Sequence, residues 1–254
     1  MILYIIPVLL AVFIVVYFRL YLFAFPHNRL VILMYHQVEK ESQEDLTVSV
    51  KNLEQQFSYL SRKKYTPRFF SELTISSKKN IIITFDDGYK NNLEYLPSLL
   101  EKYDLKATIF IPTGFIEKGY NNYSMMTFDE IRSLDKKYFE IALHSHAHEN
   151  LKNVSIDFIE KDLKKNMEIL DAHNIRYSKV LAYPYGKYPQ KKEDKLTFFS
   201  ILKKIGIEFA VRIGNKVNYY PTQRPYELCR IDIKGKDSII KFKLKLIFGR
   251  LKLF

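Results

Sequence analysis

The chain has 254 residues, which is enough to bury the core of one domain, and its composition is that of a folded protein. Hydrophobic residues make up 47% and aromatic residues 15%, which excludes a disordered chain, while 8 Gly and 9 Pro exclude a collagen-like one. A single cysteine, Cys229, excludes an intramolecular disulfide framework and a multi-cysteine zinc site. The net charge of +12 suggests an anionic partner, which is a nucleic acid, a membrane or an acidic glycan.

The chain begins with an apolar segment that favours a membrane anchor. Its first 25 residues carry one formal side-chain charge, on Arg19, and about 20 apolar residues span a bilayer as a helix. A cleaved signal peptide is the alternative, but no Lys or Arg precedes the run and no small-residue cleavage site follows it. We therefore predict a single transmembrane helix within residues 1–26. Arg19 and Arg29 place the rest of the chain in the cytoplasm by the positive-inside rule.

Short apolar runs alternate with amphipathic stretches along the rest of the chain, which predicts an α/β fold. Several runs are apolar throughout, as expected for strands that are buried on both faces of a parallel sheet. A barrel and a doubly wound sheet both fit this alternation. The predicted strands are 30–36, 81–87, 107–113, 139–144, 180–183, 209–213 and 228–233, and the predicted helices are 52–62, 92–103, 155–173 and 196–205.

Ionisable side chains follow three of these predicted strands at the point where each strand ends. His36 comes after one strand, Asp86 and Asp87 end another, and His144 ends a third. In parallel α/β folds ligands bind at the carboxyl ends of the strands. The pattern therefore indicates one functional site at that edge of the sheet.

Two short motifs at this edge predict a metal site. His144-Ser-His-Ala-His148 holds three of the six histidines, and imidazole is the commonest zinc ligand. Asp86-Asp87-Gly88 supplies a carboxylate for the metal and a second one for the substrate, with a glycine for a tight turn. The alternatives are a solvated histidine-rich loop and a plain surface turn.

The same motifs resemble the polysaccharide deacetylases, which are the NodB-homology carbohydrate esterases. Thr84-Phe-Asp-Asp-Gly88 and the histidine motif are joined by 107–114 (ATIFIPTG) and 182–186 (AYPYG). The segment 33–36 (LMYH) resembles the opening strand of the poly-N-acetylglucosamine deacetylase-like subgroup, in which the family's last motif is moved to the front. The resemblance covers residues 30–233 and implies a deformed (β/α) barrel of about seven parallel strands.

The resemblance also implies a function and roles for individual residues. The function is metal-dependent removal of an N-acetyl group from a sugar, with release of acetate. Asp87, His144 and His148 match the metal ligands, for zinc or else cobalt or nickel, and His146 is a bystander or an alternate ligand. The remaining roles match Asp86 as the general base, His36 as the general acid and Tyr185 as a backbone oxyanion donor. The arginine that the family often carries ahead of Pro-Tyr-Gly is missing from this sequence, and we expect Arg230 to orient Asp86 instead.

The remaining expectations concern the chain's ends and its partners. Residues 27–236 form the predicted deacetylase domain, and 237–254 form a basic apolar tail. This tail is a surface that lies on anionic lipid, a terminal helix that packs on the domain, or an edge strand. The expected partners are an N-acetylated glycan, either a polymer or a lipid-linked sugar, and membrane lipid. We expect no nucleic acid and no protein partner. The family subgroup favours an extracytoplasmic location, against the positive-inside rule, and a non-catalytic glycan-binding protein on the same fold is the alternative function.

Overall fold

A computed structural model of the chain describes residues 2–17, 28–42, 44–74, 79–120 and 122–250. In chain order its helices and strands are α1 (Ile2–Tyr17), β1 (Arg29–Tyr35), β2 (Gln37–Glu39), β3 (Thr47–Ser49), α2 (Val50–Arg62), β4 (Thr66–Pro67), β5 (Asn80–Asp86), α3 (Lys90–Tyr103), β6 (Ala107–Ile111), α4 (Thr113–Lys118), α5 (Phe128–Ser133), β7 (Phe139–Leu143), α6 (Ile156–Ala172), β8 (Val180–Ala182), α7 (Lys192–Lys204), β9 (Phe209–Ile213), β10 (Asn218–Tyr219), β11 (Leu228–Asp232) and α8 (Ile239–Phe248).

The predicted transmembrane helix is not supported by the structure. Helix α1 covers 16 residues of the apolar segment, and residues 1 and 18–26 of the predicted anchor lie outside the described ranges. Within those ranges, no helix combines the length and the apolar character that crossing a membrane requires.

Seven parallel strands close into a barrel. Strand β1 pairs in parallel with both β5 and β11, and the ring runs β1, β5, β6, β7, β8, β9, β11 and back to β1. These are the seven strands predicted from the sequence, so the barrel is confirmed and the doubly wound alternative is wrong. The short strands were not predicted: β4 pairs with β5, β10 runs antiparallel to β1, and β2 and β3 form a separate pair.

Alternate residues of each barrel strand face opposite ways, and this alternation decides where the ionisable side chains lie. One hydrophobic cluster joins Val31, Leu33 and Ile83 to buried residues of the surrounding helices. The other cluster contains Leu30 and Ile32 with their counterparts from the other strands, and we infer that it fills the barrel interior. The positions that share this inward alternation and lie near the carboxyl ends of the strands are His36, Thr84, Asp86, His144 and Arg230.

A buried carboxylate lies at the amino ends of the barrel strands, opposite the ionisable cluster. Glu140 of β7 accepts hydrogen bonds from the backbone N–H groups of Phe70 and Ser71, at 3.1 and 3.2 Å. It also accepts from the hydroxyls of Ser71 and Thr108, at 2.7 and 2.9 Å. Four donors converge on one side chain that is 8% exposed, so this carboxylate fixes the turn whose Phe70 enters the interior cluster.

We expect Glu140→Gln to lower the free energy of unfolding by about 2 to 4 kcal/mol, since its amide turns a donor toward other donors. Chemical denaturation checks this value. Because Glu140 lies far from the ionisable cluster, metal content should be unchanged. As a control, the same substitution at an exposed glutamate of α4, Glu117→Gln, should change stability by less than about 0.5 kcal/mol. Equal stabilities for the two variants would contradict the role given to Glu140.

The basic tail forms a helix that packs on the barrel domain, so its edge-strand alternative is wrong. Phe242 and Leu246 of α8 are buried, and the Phe242 ring meets that of Tyr59 in α2 edge to face at 6.4 Å. Arg29 donates to the carbonyls of Leu246 and Ile247, at 3.2 and 2.6 Å. The last four residues, 251–254, lie outside the described ranges, and the domain boundaries 1–26, 27–236 and 237–254 stay predictions.

Candidate metal centre and active site

The two aspartates lie on either side of the end of β5, where the backbone enters a turn with positive φ. Asp86 ends β5 and lies on the inward alternation, while Asp87 and Gly88 both have φ of 75°. A side chain at Gly88 would be strained at that φ and would meet Ile111 at 2.9 Å. The turn therefore places two neighbouring carboxylates at one end of the barrel with different partners.

The histidine loop is held by its own serine and by the next strand. Ser145 and His148 both have positive φ, and the Ser145 hydroxyl accepts from the His148 backbone N–H at 3.0 Å. The Nδ1 of His144 lies 2.8 Å from the carbonyl oxygen of Ala182 in β8. Since a carbonyl only accepts, Nδ1 carries the proton, and the lone pair of His144 is on Nε2.

Asp87, His144 and His148 converge on one point and fit a bound cation. The Nε2 atoms of the two histidines are 3.3 Å apart, and Asp87 Oδ1 lies 3.6 Å from the first and 3.4 Å from the second. Tetrahedral ligands at about 2.0–2.1 Å from zinc are separated by roughly 3.3 Å, so the spacing suits such an ion. Within the described residues these three form the group of His, Cys, Asp and Glu side chains that could hold a metal.

The pKa shifts of two of these three residues, His148 and Asp87, agree with this fit. Burial lowers the pKa of His148 to about 3, so its ring is neutral at neutral pH, as a metal ligand must be. Burial also raises the pKa of Asp87, whose Oδ1 is buried without a hydrogen-bond partner in the part of the chain that the structure describes. A buried acceptor that faces two ring nitrogens is a site that a cation would satisfy.

Asp86 has a different partner, Arg230 of β11. The guanidinium binds both carboxylate oxygens, at 2.5 and 2.7 Å, and also donates to the Thr84 hydroxyl at 3.2 Å. Burial is the largest single influence on the pKa of Asp86 and would raise it, but the charge and hydrogen bonds of Arg230, together with His144 and His36, outweigh burial and hold this pKa well below its usual range. Asp86 is therefore ionised and fixed in orientation throughout the neutral range.

The other predicted residues lie around this pair of carboxylates. The His36 Nε2 is 4.0 Å from an Asp86 oxygen, and its side chain is 17% exposed. Tyr185 lies in the 3-10 turn after β8 with φ of 56°, and its ring is 4.9 Å from that of His148. His146 lies outside the group formed by Asp87, His144 and His148, and its Nδ1 lies 3.0 Å from the Thr113 hydroxyl. This geometry favours the bystander interpretation of His146.

Sequence reasoning missed the residues that support the histidine loop. Asp162 of α6 accepts from the backbone N–H groups of His146 and Ala147, at 3.1 and 2.8 Å. Asn166, one turn later, donates to the Thr113 hydroxyl and to the Ile111 carbonyl. Both polar residues stand in the apolar stripe of α6, and both are buried. The sequence did contain a signal for these residues, namely polar side chains at apolar positions of the α6 pattern. A buried polar side chain needs a hydrogen-bond partner, and here the histidine loop provides it for Asp162.

We expect Asp162→Asn to weaken metal affinity by about 10- to 100-fold. The amide keeps one acceptor, but its other atom is a donor that faces a backbone N–H, so the loop that carries His148 shifts. Titration of metal-free protein with Zn²⁺ checks this value. Asp157→Asn, an exposed position on the same helix, is the matched control and should bind zinc like the parent. Unchanged affinity in Asp162→Asn would exclude the supporting role.

The family model for polysaccharide deacetylase matches residues 74–210 of this chain, which is just over half of its length. The matched region contains both aspartates and the histidine loop. The chain belongs to the polysaccharide deacetylase family. The predicted family is thereby confirmed.

Two relatives by sequence agree with this family. A polysaccharide deacetylase from Bacillus subtilis, YxkH, is 27% identical over 170 residues, which are 64% of this chain and 59% of that protein. A poly-beta-1,6-N-acetyl-D-glucosamine N-deacetylase from Staphylococcus aureus is 31% identical over 164 residues, covering 61% of this chain and 54% of that protein. The chain thus matches less than two thirds of the length of these relatives.

Solved structures confirm the fold of the family. The Streptococcus pyogenes deacetylase PplD, in complex with acetate, superposes with a TM-score of 0.74 at 22% identity over 87% of this chain and 99% of that chain. IcaB from Ammonifex degensii superposes with a TM-score of 0.73 at 20% identity over 86% of this chain and 96% of that chain.

Proposed function

We propose that the protein is a metal-dependent hydrolase that removes the N-acetyl group from an N-acetylated sugar and releases acetate. The observation that carries the proposal is the ligand group of Asp87, His144 and His148 beside a separate, oriented carboxylate, Asp86. Such a pairing of an open ligand set with a neighbouring base suits hydrolysis of an amide. The family of the chain supports the same reaction.

In the proposed mechanism Asp86 accepts the proton of the attacking water. Its carboxylate is ionised and held by Arg230 in one orientation. Because the low pKa of Asp86 also makes it a weak base, the water must be acidified, and a divalent cation on Asp87, His144 and His148 would supply that acidity together with polarisation of the acetamide carbonyl. Zinc is the proposed ion, since two imidazoles and one carboxylate with an open position are a common zinc set.

His36 and Tyr185 complete the proposed reaction. The water oxygen adds to the carbonyl carbon, the carbon–nitrogen bond breaks, and the leaving nitrogen must gain a proton to depart as an amine. His36 is proposed to give that proton, since it stands at the barrel mouth 4.0 Å from Asp86. The backbone N–H of Tyr185 is proposed to hold the oxyanion, and the turn that presents it lies against His148.

The proposed substrate is an N-acetylated sugar of a cell-surface polysaccharide or of a lipid-linked glycan. The relative from Staphylococcus aureus, named as a poly-beta-1,6-N-acetyl-D-glucosamine N-deacetylase, supports the first form. The test is acetate release by the zinc-loaded full chain from chitooligosaccharides, poly-N-acetylglucosamine oligomers and a polyprenyl-linked N-acetyl sugar. We expect acetate from at least one of them, with loss of one acetyl group in the mass of the product. Glycan binding without acetate release would instead support a non-catalytic glycan-binding protein.

We also propose that residues 1–26 attach the protein to a membrane. All described side chains from Ile6 to Tyr17 are exposed, and all of them are apolar or aromatic. Burying such a surface in lipid is favourable. The full chain should pellet with membranes after an alkaline wash, whereas a chain that begins at residue 27 should stay in the supernatant. A reporter fused after Phe254 then tells on which side of the membrane the barrel lies.

A further inference from the structure

Basic side chains surround the start of β1, at the end of the barrel opposite the candidate active site. The C-terminal end of α2 carries three consecutive exposed cations, and another precedes β5, the strand that pairs with β1. Two more come from β1 itself and from α8. We call these six side chains the basic collar: Arg29, Arg62, Lys63, Lys64, Lys79 and Lys243.

Two tyrosines and the last turn of α8 join the members of the basic collar. The Lys79 Nζ lies 5.8 Å from the centre of the Tyr65 ring, and the Lys243 Nζ lies 5.1 Å from that of the Tyr59 ring. Burial raises the pKa of Tyr65 to about 12, and the charges of Tyr59 and Arg29 act on the same phenol. Because the Arg29 guanidinium also donates to two carbonyls in the last turn of α8, the collar is one continuous surface.

Most of the positive charge of the basic collar is not paired. Within the described ranges, the five collar residues other than Arg29 form no ion pair with an aspartate or a glutamate. By contrast, Lys234 and Lys236, near the carboxyl ends of the strands, both pair with Asp45. A cluster of unpaired like charges attracts anions, so the collar is a surface on which part of the net charge of +12 can meet an anionic partner.

The sequence before β1 indicates that this partner is a lipid surface. The apolar segment that we propose to attach to a membrane ends at Phe25, four residues before Arg29. An extended chain spans at most about 3.6 Å per residue, so the collar begins within roughly 15 Å of the end of that segment. Basic residues are attracted to anionic lipid over about one Debye length, roughly 8 to 10 Å. A nucleic acid or an acidic glycan would match the charge, but only a lipid surface also explains why the collar surrounds the strand that follows the apolar segment.

We propose that the basic collar docks on the headgroups of an anionic phospholipid membrane. The inference rests on the proposed membrane attachment of residues 1–26 and goes beyond it, because it fixes the orientation of the barrel. Tyr59 and Tyr65, both half-buried, add rings of the kind that sit at the level of lipid headgroups. Docking at this end turns the barrel mouth, with Asp87, His144 and His148, away from the lipid, so a substrate reaches the site from the side that faces away from the membrane.

The test measures which end of the barrel lies near the lipid, with the full chain reconstituted into vesicles. A dye is attached at Ser61→Cys, beside the collar, or at Asn153→Cys, in the loop between β7 and α6. Both positions are exposed, whereas the native Cys229 is buried. In vesicles that contain phosphatidylglycerol, energy transfer to acceptor-labelled headgroups should be higher from Ser61→Cys than from Asn153→Cys. In vesicles of phosphatidylcholine alone, or at high salt, this difference should be lost.

Two triple variants separate the basic collar from the overall charge. The first carries glutamine at three collar positions, Arg62, Lys63 and Lys64, and it should lower transfer from Ser61→Cys to the level in phosphatidylcholine. The matched control carries glutamine at three exposed cations in the loop after β8 and at the start of α7, which are Lys187, Lys191 and Lys192. The control should keep the transfer of the parent. Equal transfer from the two dye positions, or equal transfer in neutral and anionic vesicles, would overturn the docking surface.

Vesicle flotation distinguishes failure of the membrane attachment from failure of the basic collar. If the full chain does not float with phosphatidylcholine vesicles, the proposed attachment of residues 1–26 is wrong. In that event flotation with phosphatidylglycerol vesicles at low salt still decides the collar. The parent and the control triple variant should float with them, and the collar triple variant should not. Absence of flotation for all three proteins, or equal flotation of all three, would contradict the inference.

Discussion

Replacement of Asp87 by alanine should abolish cation binding at the proposed metal centre and reduce the proposed acetate release by a factor on the order of 10³ or more. Asp87 Oδ1 faces both histidine nitrogens within 3.6 Å, so its loss leaves two imidazoles and no carboxylate to hold a dication. The measurement is metal content by mass spectrometry of the purified variant, with the acetate rate on the same sample. The fold should survive, because Asp87 lies in a turn after β5 and belongs to no hydrophobic cluster.

A surface aspartate provides the matched control for Asp87→Ala. Asp129 has an 80% exposed side chain that pairs with Arg132, and its replacement by alanine should leave both metal content and rate unchanged. Retention of a full equivalent of zinc by Asp87→Ala would contradict the assigned ligand set. Loss of zinc with an unchanged rate would contradict the metal-dependent reaction.

Replacement of Arg230 by methionine will lower the free energy of unfolding by about 3 to 5 kcal/mol, because it leaves Asp86 as a buried, unpaired carboxylate. Both partners are almost fully buried, with side chains 1% and 3% exposed. Removing both charges, in Arg230→Met with Asp86→Asn, should recover most of that loss. The double variant should nevertheless release no acetate, since Asp86, the proposed general base, has been replaced. Denaturant titration and the acetate assay together separate these two effects.

An exposed ion pair and the pH dependence serve as checks on Arg230. Arg132→Met removes a surface pair and should lower the free energy of unfolding by less than about 1 kcal/mol.

The folded-state pKa of Asp86 is depressed. The ion pair therefore contributes its full stability above the unfolded pKa of Asp86, about 3.9, and this contribution is lost as the pH falls below that value. The double variant should therefore lose less stability than the parent in acid. Parallel pH profiles, or no recovery in the double variant, would contradict this pairing.

Most of the barrel could be predicted because its strands are continuous apolar runs with clear breaks between them. A strand such as β5, NIIITFD, is buried at every position, and that pattern is visible without any partner. The two-residue strands β4 and β10 could not be predicted in this way. They are too short for periodicity, and only pairing with β5 and β1 defines them.

The candidate metal ligands could be predicted because they lie within short sequence motifs, whereas the residues that hold them in place are far away in the sequence. Asp87 follows Asp86 directly, and the two histidines are four residues apart. Arg230 lies 144 residues from Asp86, so only the closure of the barrel brings them together. Arg230 was expected to orient Asp86 in place of an arginine that the family's motif often carries, and the inward alternation of β5 and β11 explains how the two residues meet.

The supports for the histidine loop depend on packing between elements. Asp162 reaches the loop across the contact between α6 and the loop, and this contact has no motif in the sequence. The readable sign of it was a buried polar residue within the apolar stripe of a helix.

The most direct test of the account is a stoichiometric titration of metal-free full-length protein with Zn²⁺, with acetate release and bound metal measured on each sample. We predict that the rate rises in proportion to occupancy and saturates at one ion per chain. Asp162→Asn should reach the same plateau at higher free zinc. A rate that is the same in metal-free and zinc-loaded protein, or that needs more than one ion per chain, would contradict a single catalytic centre on Asp87, His144 and His148.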